Sequence, residues 1–153
     1  MKLTLLLFFT FVVATMGLEG WIERVAILLK MTKYETRVCF FEKNITLEDL
    51  MKFDMMSVDN LQATDAQDIN LKIGCLLACL GEKKEMMTGA RLNLDKIKEL
   101  LQKHYAEIQA FAEALNPEKL AGFDRLIDSC ANQVETITNK CEVALRFLRC
   151  VNE

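Results

Sequence analysis

Two residue types in this 153-residue chain offer covalent or proton chemistry near neutral pH: six cysteines and a single histidine. The densest stretch runs from Gly74 to Met87, GCLLACLGEKKEMM, and carries Cys75 and Cys79. In an α-helix, positions i and i+4 lie on nearly the same face. Both sulfurs therefore leave one side of one helix toward two neighbours, and that helix becomes a junction. Cys39, Cys130, Cys141 and Cys150 are spread so as to supply the partners. His104 is the one possible base for a Ser-His-Asp system, and no nucleophile motif lies near it. At a pocket mouth its protonation, near an ordinary value of about 6.5, would loosen a ligand. Zinc is disfavoured because no CxxC or paired-histidine spacing occurs. A secreted phospholipase would need a His-Asp pair beside adjacent cysteines, which is absent. The chain reads as a non-enzyme without a cofactor or metal.

What the cysteines do depends on the compartment. Residues 1–17, MKLTLLLFFTFVVATMG, hold Lys2, an apolar run from Leu3 to Ala14, then small residues, as a secretory signal peptide does. The run is shorter than the about 20 residues a spanning helix needs. Cleavage is expected after Gly17, with Gly20 as the alternative, leaving a secreted, extracellular domain over 18–153. In an oxidising compartment six cysteines read as three disulfides. The formal charge of the whole chain is −3, and the leader carries Lys2 and no acid, so the mature domain is mildly acidic. That balance argues against nucleic acid and anionic membrane surfaces as partners. No second long apolar run follows, so no membrane span is expected.

One proline and sparse glycine leave few places for tight hairpins, whereas Leu, Ala, Glu, Lys and Met favour helices. The reading is an all-α single domain. Trp21, Ile22, Val25, Leu28, Leu29 and Thr32 recur at three- and four-residue steps and predict a first helix over 21–41. Thr46 with Asp49 has the spacing of a capping box and predicts a short helix from 46. A loop over 54–64 and the junction helix over about 65–81 follow. The stretch 89–93 punctuates the chain, with Asn93 capping a long helix over 94–115. Asn116 and Pro117 restart a helix to about 132, since proline suits a first helical position. The last helix, about 134–150, is apolar on several sides and therefore central.

Six cysteines pair in fifteen ways. Cys141 and Cys150, nine residues apart, stand about 13.5 Å apart along a helix, and cysteines with Cα atoms beyond about 7 Å cannot be bridged. Cys75 and Cys79 point in parallel from one face. Ten pairings survive these two exclusions, and geometry goes no further. The gaps, however, are informative: 35, three, 50, ten and eight residues between successive cysteines. With the segments CLLACLGEKKEMM, LNLDKIKELL and CEVALRFLRC, this pattern resembles the insect odorant-binding proteins over essentially the whole mature chain. The first and third gaps are long for that family, the first in the manner of some ant and wasp members. The resemblance implies about six helices around an apolar cavity and interlocked bridges Cys39–Cys79, Cys75–Cys141 and Cys130–Cys150. It implies a monomer or weak homodimer that binds a small hydrophobic ligand and meets a membrane odorant receptor. Only three residues follow Cys150, so the long tail that some members fold into the cavity is not expected.

Met is unbranched and polarisable and lines cavities that accept several shapes. Met51, Met55 and Met56 lie on or after the short second helix, and Met86 and Met87 follow the junction helix. The candidate ligand-binding residues are Met51, Met55, Leu77, Met86, Met87, Leu101, Tyr105, Leu126 and Phe147, with the Tyr105 hydroxyl as a hydrogen-bond donor. The other reading of each is plain core packing. Asn44-Ile45-Thr46 is an acceptor triplet for N-glycosylation. The function expected is reversible binding and transport of small hydrophobic molecules such as odorants or pheromones. The alternative is a secreted helical protein that acts by contact with another protein.

Overall fold

The computed structural model describes residues 17–55, 64–109 and 117–152. Among them are seven helices: α1 Leu18–Leu29, α2 Lys33–Glu42, α3 Leu47–Met55, α4 Thr64–Lys83, α5 Leu94–Gln109, α6 Pro117–Val134 and α7 Lys140–Asn152. The domain is all-α apart from a two-residue antiparallel pair, β1 Met87–Thr88 and β2 Arg91–Leu92. Its turn needs Gly89, whose φ of +57° lies in the left-handed region.

The first helix expected over 21–41 is instead two. Lys30 takes φ 50° and ψ 47°, and its backbone and that of Met31 turn back onto the last carbonyls of α1. Thr32 then opens α2 with a full capping box: Glu35 N donates to Thr32 Oγ1 at 3.2 Å, and Thr32 N donates to Glu35 Oε2 at 3.0 Å. Thr32, counted in the apolar stripe, is a cap, and Leu28 is 58% exposed. The Thr46 box forms as expected. Asp49 N donates to Thr46 Oγ1 at 3.1 Å and Thr46 N donates to Asp49 Oδ2 at 2.9 Å. Asn93 caps α5 through Lys96 N, at 3.3 Å. The last helix begins at Lys140, not near 134. Asn139 Oδ1 accepts from Cys141 N and Glu142 N, so Val134 closes α6 and Ile137 lies in the connection. Of the long helix expected over 94–115, residues 110–115 lie outside the described ones.

Two apolar clusters flank α4. The first joins α1, α2, α3 and α4 through Ile22, Phe40, Ile45, Leu50, Ile73, Leu76 and Leu80, with Trp21 packed against it. Each fully buried Ile or Phe there contributes about 1.5–3 kcal/mol. The second joins α4, the hairpin, α6 and α7 through Ala78, Met87, Val134, Val143 and Ala144. The junction helix therefore divides the interior, as its two cysteines imply.

Asp49 ties this half together, because it caps α3 and also accepts from Lys72 Nζ of α4 at 2.6 Å. Burial pushes the Asp49 carboxyl up, but Lys72 and the Thr46 groups together outweigh it and hold it below the ordinary carboxylate value. A depressed folded value gives stability that is fully present above the unfolded value of about 3.9 and is lost as pH falls through the folded one. Asp49→Asn is expected to be less stable than the parent at pH 7 in urea titrations. The gap between the two is expected to shrink as pH drops below about 4. A gap that stays constant down to pH 2 would contradict this role.

Candidate functional site

The three bridges decide which surfaces can meet. Cys39–Cys79 joins α2 to α4, Cys75–Cys141 joins α4 to α7, and Cys130–Cys150 joins α6 to α7. This pairing is the one that the resemblance implies, among the ten left open by geometry. Cys75–Cys141 holds Cα atoms 4.2 Å apart. Such proximity is possible because residue 74 is glycine: a Cβ built there would stand 2.3 Å from the Cys141 carbonyl oxygen. At the same end, Lys140 Nζ meets the Glu82 carboxylate at 2.9 Å. At the other end of the α4/α7 contact, Arg149 donates to the buried Asn70 Oδ1 at 2.7 Å and stands over the Phe53 ring, 6.0 Å from its centroid.

The second cluster is thus fixed on three sides. A cleft of about 470 Å³ opens beside it between the hairpin and the end of α6, lined by Ala90, Arg91, Leu92, Leu94, Ala131, Asn132, Val134 and Glu135. Ala90, Leu92 and Val134 belong both to the cluster and to the cleft wall. The lining mixes aliphatic side chains with Arg91, Asn132 and Glu135, and slightly more of its exposed surface is polar than apolar. Among the described residues no group of three or more His, Cys, Asp or Glu could hold one metal ion. No described helix is long and apolar enough to cross a membrane.

The nine nominated ligand-binding residues separate on this frame. Leu77, Met87 and Phe147 share the second cluster beneath the cleft, with Met87 fully enclosed. Met86 and Leu101 are half-buried. Met51 is 50% exposed and Leu126 38% exposed. The side chains of Met55 and Tyr105 lie outside the described residues, as do Met56 and the His104 side chain. None of the seven whose side chains are described lines the cleft itself. Its wall joins Ala90, Arg91 and Leu92 of the hairpin and Leu94 of α5 to residues at the end of α6, a junction that the periodicity of a single helix does not reveal.

A small helical domain closed by three interlocked disulfides, with an apolar cluster opening on a cleft, defines the class. The chain matches the PBP/GOBP family over residues 27–153 and belongs to it; it is an insect odorant-binding protein family member. The pheromone-binding protein Gp-9 of Solenopsis globularia littoralis is 27% identical over 113 residues, covering 74% of this chain and 66% of that relative. The chain therefore spans about two thirds of that relative's length. No solved structure matches.

Proposed function

We propose that the protein is a secreted carrier that reversibly binds small hydrophobic molecules, odorants or pheromones by class, and moves them through aqueous extracellular fluid. Family membership supports the carrier role, and the apolar cluster under the cleft supports the ligand class. A void of about 100 Å³ costs ~2.4 kcal/mol. Each disulfide contributes about 2–4 kcal/mol, chiefly by restricting the unfolded chain. Three crosslinks can therefore sustain vacant apolar space that an uncrosslinked bundle of this size would close. An apolar guest gains by burying its surface against apolar side chains, at about 25 cal/mol per Å² removed from water.

Export places residues 1–17 as the removed leader. Cleavage before Leu18 retains Glu19, which accepts from Arg37 Nη2 at 2.6 Å and stands 3.6 Å from Lys33 Nζ. Cleavage after Gly20 would discard that link between α1 and α2.

A naphthylamine-type fluorescent probe is expected to bind the mature protein and to be displaced by long-chain alcohols or esters. Ala131→Trp, which fills the cleft from α6, is expected to weaken the probe at least about tenfold, ~1.4 kcal/mol, with the melting temperature unchanged. Equal affinity in the two proteins would remove the cleft as the site; no uptake of any apolar compound would remove the carrier reading. A second reading, contact with another protein, has its observation in Ile27 and Tyr34, 69% and 73% exposed at the α1–α2 corner.

A further inference from the structure

We propose that Asn44 carries an N-linked glycan whose first sugar lies against Phe41. The acceptor triplet Asn44-Ile45-Thr46 fills the turn between α2 and α3. Asn44 is exposed and takes φ 50°, a left-handed conformation that asparagine tolerates better than most residues. Its backbone N–H donates to the Phe41 carbonyl at 3.0 Å and closes the turn. Ile45, 4% exposed, anchors the next position in the first cluster, and its N–H donates to Phe40 O at 2.9 Å. The triplet's two recognition residues, Asn44 and Thr46, are thereby left on the surface around a buried middle residue.

Phe41 is 60% exposed. Residues that close a turn of this kind have Cα atoms within about 7 Å of each other. A pyranose on Asn44 therefore starts within reach of the Phe41 ring. The C–H face of a sugar is apolar and packs on an aromatic face, so the glycan covers a ring that the protein leaves in water.

The inference rests on the secretory reading, because the transfer takes place in the secretory lumen. Asn44 Nδ2 attacks the anomeric carbon of an oligosaccharide carried on a polyisoprenyl diphosphate. The bond from that carbon to the diphosphate oxygen breaks, the diphosphate leaves with the electron pair, and Nδ2 gives up one proton. In the folded protein Thr46 Oγ1 caps α3 by accepting from Asp49 N. Transfer thus belongs to the emerging chain, before α3 forms.

The test is expression of the full chain, with its own leader, in insect cells, followed by mass mapping before and after enzymatic release of N-glycans. The secreted protein is expected to lose mass on release, with Asn44 converted to aspartate. Asn44→Gln is expected to abolish the modification, and Thr46→Ser, which keeps the hydroxyl cap, to retain it. Glycan release is expected to lower the melting temperature of the parent protein and to leave that of Phe41→Ala unmoved. Secreted, leader-free protein with unmodified Asn44 would overturn the site and leave the secretory reading standing. Unmodified protein held inside the cell with its leader attached would overturn both. A glycan whose removal shifts neither melting temperature, or both equally, would overturn the contact with Phe41.

Discussion

Replacing Cys75 and Cys141 together by serine is expected to destabilise the protein by about 2–5 kcal/mol. For a chain of this size that is a fall in melting temperature on the order of 10 °C. The bridge closes a separation of 66 residues and joins α4 and α7, the most closely packed pair of helices among the described residues. Its loss frees the second cluster along the α4/α7 seam, to which Ala78, Val143 and Ala144 belong. Calorimetry of the double variant beside the parent measures the effect. A fall of less than about 1 kcal/mol would mean that apolar packing alone holds the seam, well below what a native disulfide contributes.

Gly74→Ala is expected to destabilise by at least about 2 kcal/mol, toward the upper part of the overpacking range. Helix propensity alone gives the opposite sign, since Ala is favoured over Gly by about 1 kcal/mol in a helix interior. The contact decides the sign. The new Cβ would stand 2.3 Å from the Cys141 carbonyl oxygen and 3.2 Å from Leu145 Cβ. Backbone cannot swing aside as a side-chain tip can, and the neighbouring bridge pins α7 in place. The same substitution in the Cys75→Ser/Cys141→Ser background is therefore expected to cost less, with a coupling of about 0.5–3 kcal/mol. Urea titration of the four proteins gives the cycle. Additive effects would show that the bridge does not hold the helices at this distance.

The residues that carried the sequence reading were those whose local chemistry decides their conformation. Thr46 with Asp49, Asn93 and Pro117 each announce a helix start, and each opens one. Thr32 with Glu35 has the same signature, yet it sits within an apolar stripe at helical spacing. The periodicity hides a break that depends on Lys30 adopting a left-handed conformation. Asn139 hides the start of α7 likewise, because Val134 and Ile137 continue the apolar spacing across a turn. The second apolar cluster was legible only in part. Leu77, Met87 and Phe147 come together because the bridges bring α4, the hairpin and α7 to one place. Methionine content does not say which methionine is buried. Met51 and Met87 have the same side chain and opposite burial, and the difference arises from packing between helices.

Three crosslinks lock the bundle, and an apolar cluster opens on a cleft at its side; the carrier reading requires that an apolar guest occupy such space in the working protein. Mass spectrometry of undenatured protein from its natural secretion tests this most directly. The expected spectrum shows the mature domain with three disulfides plus the mass of a small molecule, which is lost on extraction with organic solvent. Protein that carries no guest, and takes up none when offered volatile or fatty compounds, would contradict it.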